Sequence, residues 1–193
     1  MELVVTKRTD PRLLACMAGH YSRPQGFVGR NICYSVTHDG VYYGHIVGGS
    51  ATLHLVGRNE FFNPHIHAGE GCRDGCGLDL KRIVNNVFFH ITPTNGKYPL
   101  RNFSQRVLQA WRIVVALDWL VKYGDDIIGF ESLVELPRMG EVYRRDGWIY
   151  VGVTKGFSCK RIAGRGTDSW SGKRVWNTKE LRPKRVFVRG RLP

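Results

Sequence analysis

The chain has 193 residues and a formal net charge of +13, with 29 Lys and Arg against 16 Asp and Glu. This length suits one domain with a tail, and the content of 42% hydrophobic and 23% charged residues excludes a wholly disordered protein. No apolar run approaches the ~20 residues that cross a bilayer, and we expect no signal peptide. The five cysteines are odd in number and scattered, which indicates a reducing, cytoplasmic compartment rather than a disulfide framework.

The positive charge is concentrated in the last fifth of the chain, here called the basic segment (residues 155–193). It holds 12 Lys and Arg against two Asp and Glu, a net +10, so the first 154 residues hold 17 against 14, a net +3. Interleaved cations and aromatic rings are typical of nucleic-acid contacts, whereas a membrane helix would need an amphipathic period that is missing. We predict contacts with DNA and none with a membrane; the alternative is a solvated basic terminus. The predicted DNA-binding residues are Lys155, Lys160, Arg161, Arg165, Trp170, Lys173, Arg174 and Trp176.

Hydrophobic periodicity predicts the elements of the first half. Thr9-Asp10-Pro11 can open a helix, because a capping side chain is followed by proline, and apolar residues at helical spacing carry it to about Gly19. Two alternating runs on either side of Asp39-Gly40 predict a β-hairpin within residues 30–56. Residues 57–80 are rich in Gly, Asn, Asp, His and Cys without periodicity, so we expect a long insertion loop.

The insertion loop contains side chains that zinc prefers. His65, His67, Cys72 and Cys76 lie within twelve residues of the chain, and imidazole and thiolate are typical zinc ligands. A zinc ion there would be structural, because all four ligand positions would be filled. The alternative interpretation is a polar loop with two free thiols.

The order of elements in the second half of the chain predicts a parallel β-α-β unit. The longest helix is expected to begin at Asn102, which can form a capping box with Gln105, and to end at Tyr123-Gly124. A strand precedes this helix and another follows it, and strands joined in this way lie parallel. With the antiparallel hairpin, this order predicts a mixed α/β sheet. The expected elements are strands at 82–92, 127–135 and 148–153, a helical turn at 140–147 and a further strand at 186–188.

Three stretches carry motifs beyond these elements. The first is His20-Tyr21-Ser22. The second is Val84–Ile91 followed by Asn102-Phe103-Ser104, and the third is Phe130–Val134 followed by Pro137–Gly156. Together they resemble the Mom-like GNAT-fold family, which includes a phage DNA-modification enzyme and a GNAT-like subunit of the Druantia anti-phage system. The resemblance covers residues 14–156 of the chain.

This resemblance implies a fold, a reaction and cofactors. The fold is a GNAT-like mixed central sheet flanked by helices in residues 1–156, with the insertion at 57–80 and a basic C-terminal extension at 157–193. The reaction is transfer of a small acyl-type group to the adenine N6 amine in DNA, in a bacterial host cell and with an anti-restriction role. The donor is acetyl-CoA or a related acyl compound, and iron held by His20 and Tyr21 is the implied metal.

The resemblance also implies roles for individual residues. Tyr143 protonates the leaving thiolate, which suits a phenol whose ordinary pKa is near ~10. Glu131 and Ser132 are expected to flank the reacting group, where the carboxylate accepts a proton from the amine or a hydrogen bond from the adenine edge. His20 and Tyr21 bind the metal or activate the donor. The residues expected to hold the donor are Asn86, Ser104, Arg138 and Gly140.

Two departures from the family pattern leave other functions open. Residues 94–101 hold only Gly96 where GNAT enzymes have a glycine-rich loop for the coenzyme A pyrophosphate, and Glu131-Ser132-Leu133 stands where the phage enzyme has Ala-Asp-Pro. One alternative is a non-catalytic GNAT-like module that binds DNA in a defence or counter-defence system. Another is a GNAT acetyltransferase acting on a small-molecule or protein amine. The catalytic hypothesis requires His20 and Tyr143 to share one pocket.

Overall fold

A seven-stranded mixed sheet forms the centre of the computed structural model, which describes residues 1–22, 24, 26–62, 78–156, 158–161, 174–177 and 182–191. The elements, in chain order, are β1 (Glu2–Thr6), α1 (Pro11–Gly19), β2 (Asn31–His38), β3 (Val41–Ser50), α2 (Val56–Phe62), a single 3-10 turn (Leu80–Arg82), β4 (Ile83–Ile91), α3 (Phe103–Tyr123), β5 (Gly129–Glu135), α4 (Glu141–Arg145), β6 (Ile149–Val153), β7 (Ser158–Arg161), β8 (Arg174–Asn177) and β9 (Lys184–Gly190). The central strands lie in the order β1-β2-β3-β4-β5-β9-β6, and β7 and β8 form a separate pair. None of the helices in the described part combines the length and hydropathy of a membrane span.

The helix caps and the hairpin turn lie where the sequence predicts them. Asp10 caps α1 through its carboxylate, and Pro11 occupies the first turn, where its missing N–H is not needed. Asp39 and Gly40 turn the β2–β3 hairpin with positive φ angles of 49° and 76°. Gly124 ends α3 in the left-handed region with φ of 76°. These local signals fix where the predicted helices and hairpin begin and end.

The sheet separates two groups of helices. Successive side chains of a strand point to opposite faces, so Ile32 and Tyr34 of β2 pack in the core beneath α3, whereas Cys33 packs with α1. In the same way Phe187 of β9 packs with α3 and α4, and Val188 packs with α2. We call these two sides of the sheet the α3 face and the α1 face.

Strands β4 and β5 run side by side only briefly and then separate. They pair in parallel over Ile83–Asn85 and Gly129–Glu131, which confirms the predicted parallel unit. Beyond these residues β4 continues beside β3, and β5 continues beside β9. A bulge in β4 leaves Val87 without a partner in register at the point where the strands separate. An open gap between the two strands therefore lies at the centre of the sheet.

Some local features differ from the sequence-based expectations. β1 is a further strand at the edge of the sheet, too short to show a clear alternation. α2 occupies the start of the loop expected at 57–80, and Arg58 anchors it because this buried side chain pairs with Glu131. The capping box is wrong: Asn102 makes no capping hydrogen bond, and Gln105 donates to a carbonyl of α4 at 2.9 Å.

The basic segment contributes a strand to the central sheet. β9 lies between β5 and β6 and pairs with β5 over seven residues. Val186, Phe187 and Val188 are at most 5% exposed, which confirms the strand predicted there and makes it part of the core. The sheet thus extends beyond the boundary expected at residue 156, because a strand that is basic at both ends still buries its apolar centre.

Candidate active site

A cavity of about 410 Å³ occupies the gap between β4 and β5. Side chains reach it from both faces of the sheet, because separated strands leave a passage between the faces. The end of α1 lines it on the α1 face, and α4 lines it on the α3 face. Its lining includes His20, Tyr21, Ser22, Asn86, Ser132, Arg138, Gly140 and Tyr143.

Tyr143 enters the cavity from α4. Its ring stacks on Phe187 at a centroid distance of 5.6 Å and meets Trp148 at 5.1 Å with a 69° interplanar angle. Its hydroxyl donates to Oδ1 of Asn86 at 2.6 Å. Burial raises the pKa of Tyr143 well above its ordinary value, so the phenol is neutral at pH 7. Tyr143 is therefore a rigidly held proton donor beside the gap.

Gly140 allows α4 to start against β9. It adopts the left-handed region with φ of 71°, and a Cβ placed on it would lie 2.5 Å from the Phe187 ring. Because Phe187 also stacks on Tyr143, the same ring supports both the start of α4 and its functional side chain. Gly140 thus determines how deeply Tyr143 enters the cavity.

Asn86 and Ser132 connect the separated strands. Nδ2 of Asn86 donates to the carbonyls of Val47 and Phe88, both at 3.3 Å. Oγ of Ser132 donates to the carbonyl of Asn86 at 3.2 Å. Both side chains are buried. Together with the bond from Tyr143, these contacts hold β4, β5 and α4 in a fixed relation around the gap.

His20 enters the cavity from the end of α1. Its ring packs against Phe88 at 4.8 Å, and its Nδ1 lies 2.8 Å from the hydroxyl of Ser22. Burial, with a smaller contribution from His90 on β4, lowers the pKa of His20 to about 4. The imidazole is therefore neutral at pH 7 and can accept a proton.

Tyr21 and Arg138 form the exposed rim of the cavity. The guanidinium carbon of Arg138 lies 3.5 Å from the centroid of the Tyr21 ring, which is a cation–π stack. Burial of the hydroxyl end raises the pKa of Tyr21, although Arg138 opposes this effect. The stack joins the end of α1 to the loop before α4 and places a positive charge at the entrance.

The predicted residues thus fall into two groups. His20 and Tyr143 share one cavity, as the catalytic hypothesis requires, and the other predicted residues that line it are Tyr21, Asn86, Ser132, Arg138 and Gly140. Ser104 does not line the cavity; it is half-buried in the first turn of α3.

Glu131 does not face the reacting group, which corrects the expectation. Its carboxylate pairs with Arg58 and accepts the N–H of Thr52 at 2.6 Å, and both charged side chains are fully buried. The physical reason is strand alternation: Phe130 and Ser132 point to the α3 face, so Glu131 points to the α1 face beneath α2. Glu131 anchors α2 instead of accepting a proton from a substrate.

The described residues do not form the expected metal centre. The Nδ1 nitrogen of His20 is already hydrogen-bonded to Ser22. The guanidinium of Arg138 stacks on the Tyr21 ring, and its positive charge would repel a metal ion there. Within the described ranges no three His, Cys, Asp or Glu side chains form a ligand group. The expected zinc ligands His65, His67, Cys72 and Cys76 lie outside the described residues.

Most of the predicted DNA-binding side chains also fall outside the description. Arg165, Trp170 and Lys173 are not among the described residues, and the structure describes only the backbone of Lys160, Arg161, Arg174 and Trp176. Lys155 is exposed just after β6.

Three charged residues at the cavity were not found from the sequence. Lys184 lines it because β9 lies beside β5, Glu135 lines it at the end of β5, and Glu141 lines it at the start of α4. Ser22 was recognised only as part of the His-Tyr-Ser motif. No local signal could have found Lys184, because its position depends on a strand pairing between residues about fifty positions apart.

The architecture is similar to that of solved acetyltransferases. An aminoglycoside 6'-N-acetyltransferase from Enterococcus faecium has a TM-score of 0.51 at 10% identity, covering 100% of this chain and 98% of that chain. A Bacillus subtilis acetyltransferase solved with CoA has a TM-score of 0.49 at 11% identity and 98% coverage of both chains. RimL, a ribosomal L7/L12 alpha-N-protein acetyltransferase, has a TM-score of 0.46 at 10% identity, covering 83% of this chain and 70% of that chain.

At these identities the likeness to the Enterococcus enzyme shows the fold alone. The chain has the GNAT fold, a mixed sheet flanked by helices, as the sequence predicted. No protein-family model and no curated protein matches the chain.

Proposed function

We propose that the chain is a GNAT-type transferase that moves an acyl group from a thioester donor to an amine. The observation that carries this proposal is the cavity between β4 and β5, where Tyr143 faces a neutral His20 across the sheet. An acid and a base on either side of one gap are what acyl transfer to an amine requires. The GNAT fold supports the same reaction class.

The proton transfers can be assigned to this chain's own residues. The amine nitrogen bonds to the acyl carbon, and the carbon–sulphur bond breaks. The amine proton passes through the Ser22 hydroxyl to Nδ1 of His20, which lies 2.8 Å from that hydroxyl. The leaving thiolate takes the proton of Tyr143. Exchange with solvent returns both groups to their resting state.

The donor site is proposed in the gap between β4 and β5. Acetyl-CoA or a related thioester would supply the activated acyl group. Arg138 and Lys184, which both line the cavity, provide the cations that would attract its phosphates. Gly140 contributes indirectly, because the Phe187 ring occupies the space of its missing Cβ and the residue sets where α4 begins. Ser104, which was expected to hold the donor, does not line the cavity and has no role in this arrangement.

We further propose that the acceptor amine is carried by DNA, with adenine N6 as the target. The +10 balance of residues 155–193 supports a polyanionic partner, and the Arg138–Tyr21 stack adds a cation and a ring at the entrance. Adenine N6 is paired inside a duplex, so the base would have to leave the stack to reach the cavity. This part of the proposal rests on the family resemblance of the sequence motifs.

One observation favours a second candidate, a DNA-binding module without catalysis. The main-chain carbonyls of Asn86 and Phe88 in the gap already accept hydrogen bonds from the side chains of Ser132 and Asn86. These bonds stabilise the fold around the gap whether or not the protein is an enzyme. The single glycine of residues 94–101 agrees with a weak donor site.

The test is to incubate the purified protein with acetyl-CoA and either an oligonucleotide duplex or a small primary amine. Free thiol and the mass of the nucleosides are measured. Thiol release with an adenine mass increase supports the full proposal. Thiol release with the small amine alone contradicts the DNA acceptor, and DNA binding without thiol release in any mixture supports the non-catalytic module.

A further inference from the structure

The side-chain amide of Asn86 has a fixed orientation. Its nitrogen donates to two carbonyls, those of Val47 and Phe88, each at 3.3 Å. A rotated amide would place its oxygen against both carbonyl oxygens and its NH2 group against the Tyr143 hydroxyl. The network therefore permits one orientation of the amide, in which Oδ1 faces Tyr143 and accepts a hydrogen bond from its hydroxyl at 2.6 Å.

The β4 bulge is what places Asn86 in the gap. In register, Asn86 stands opposite Gly48 and Phe88 opposite Val47, so that Val87 is the additional residue. Phe88 packs on the α1 face, whereas Asn86 turns towards Tyr143 on the α3 face. Asn86 is 4% exposed, so water does not compete for its oxygen.

We propose that Asn86 is a positioning residue for Tyr143, which keeps the phenol protonated and its oxygen at the gap until a thiolate forms there. This inference rests on the proposed acyl transfer. Asn86 Oδ1 holds the O–H in the resting state. When negative charge develops on the sulphur, the O–H rotates about the bond between the ring and its oxygen and donates to the sulphur instead. Asn86 acts through Tyr143 and needs no contact with the donor.

Ser132 provides a matched control on the same residue. Its hydroxyl donates to the main-chain carbonyl of Asn86 and not to the side-chain amide oxygen that accepts from Tyr143. Removing Ser132 should therefore leave the hydrogen bond between Tyr143 and the amide in place, whereas removing the Asn86 amide should leave the Tyr143 hydroxyl without its acceptor.

The test compares Asn86→Leu, Asn86→Asp, Ser132→Ala and Tyr143→Phe in the thiol-release assay. We expect Asn86→Leu to lower kcat about ten- to a hundredfold, less than the loss of the general acid itself, which is worth about a hundredfold or more, with the donor KM within about twofold. In Asn86→Asp the protonated carboxyl can replace the amide, because its hydroxyl donates to a carbonyl while its other oxygen accepts from Tyr143. The kcat of this variant should therefore rise as the pH is lowered from 8 to 5, while that of the unchanged protein should not.

A spectroscopic measurement on the unchanged protein does not depend on whether these variants fold. The Tyr143 hydroxyl proton should give a slowly exchanging, downfield NMR resonance, assigned by its loss in Tyr143→Phe. Absence of that resonance overturns the inference. An unchanged kcat in Asn86→Leu, while Tyr143→Phe is inactive, also overturns it and leaves the proposed function intact. Full activity of Tyr143→Phe removes the proposed acid and the inference together.

Discussion

Tyr143 and His20 lie on opposite faces of the sheet and yet line the same cavity. Both side chains can reach this cavity because β4 and β5 separate after three paired residues, whereas a continuous sheet would keep the two faces apart. The chain thereby obtains two proton-transfer groups from two helices on opposite faces of the sheet.

Gly140→Ala should destabilise the protein more than Gly96→Ala. Both glycines have positive φ, 71° and 73°, so both variants carry the backbone cost of about 1 kcal/mol. Only at Gly140 does the new Cβ meet the Phe187 ring, which should add roughly 1–3 kcal/mol of overpacking and displace Tyr143. Urea unfolding gives the two free energies, and equal losses would show that α4 can move away without cost.

Glu131 should prove structural. Glu131→Gln or Arg58→Met alone leaves one buried charge without its partner and should cost roughly 3–5 kcal/mol of stability. The double variant Arg58→Met with Glu131→Met should recover much of that loss, because neither charge remains. Thermal unfolding and kcat are measured for each variant. A stable Glu131→Gln protein with a strongly reduced kcat would instead restore Glu131 to a chemical role.

The free energy of unfolding should increase with pH between about 4 and 6.5. Burial lowers the pKa of His20 and of His45, which is buried beneath α1, to about 4 each. Unfolded histidines titrate near 6.5, so in this window the unfolded chain binds more protons than the folded one, and acidification favours unfolding. Each histidine should contribute about 1–3 kcal/mol over the window. Urea unfolding as a function of pH tests this, and His45→Gln should reduce the slope.

The lowered pKa of His20 should also set the lower pH limit of activity. If neutral His20 accepts the amine proton, kcat should fall only as the pH approaches 4 and should be insensitive to pH between 6 and 7. An acidic limb centred near pH 6.5 would show that His20 is solvated in the working enzyme or that another group is the base.

Arg138→Leu should weaken the binding of both donor and acceptor without changing the chemical step. It removes the cation that stacks on Tyr21 at the rim, at 3.5 Å, and such a contact is worth about a two- to fivefold change in KM. Arg106→Leu is the matched control, because it removes an exposed cation from α3 outside the cavity. Equal effects of the two variants would indicate that overall charge, and not the rim, attracts the acceptor.

The elements that the sequence predicted are those whose signals are local. Asp10 before Pro11, Asp39 before Gly40 and Gly124 after an apolar helix each fix a boundary through their own backbone preferences. The parallel unit around α3 followed from the chain order alone. The shared cavity of His20 and Tyr143 followed from the family motifs and not from periodicity.

The features that the sequence did not predict depend on pairing between distant residues. The side to which Glu131 points is decided by register, and a shift by one residue would have exposed it to the gap. Arg58 appears as an exposed loop cation in the sequence, because its buried partner is 73 residues away. The sequence places β9 in a basic terminal segment, because nothing in its own residues indicates that the strand inserts between β5 and β6.

The most direct test of the acyl-transfer account is the rate of thiol release by Tyr143→Phe compared with Tyr150→Phe. Both variants lose one hydroxyl beside Phe187, but Tyr150 is 40% exposed on β6 and does not line the cavity. If Tyr143 is the general acid, kcat should fall about a hundredfold in Tyr143→Phe, the size of a general-acid contribution, and should change within about twofold in Tyr150→Phe. Thiol release at the same rate by both variants would contradict it.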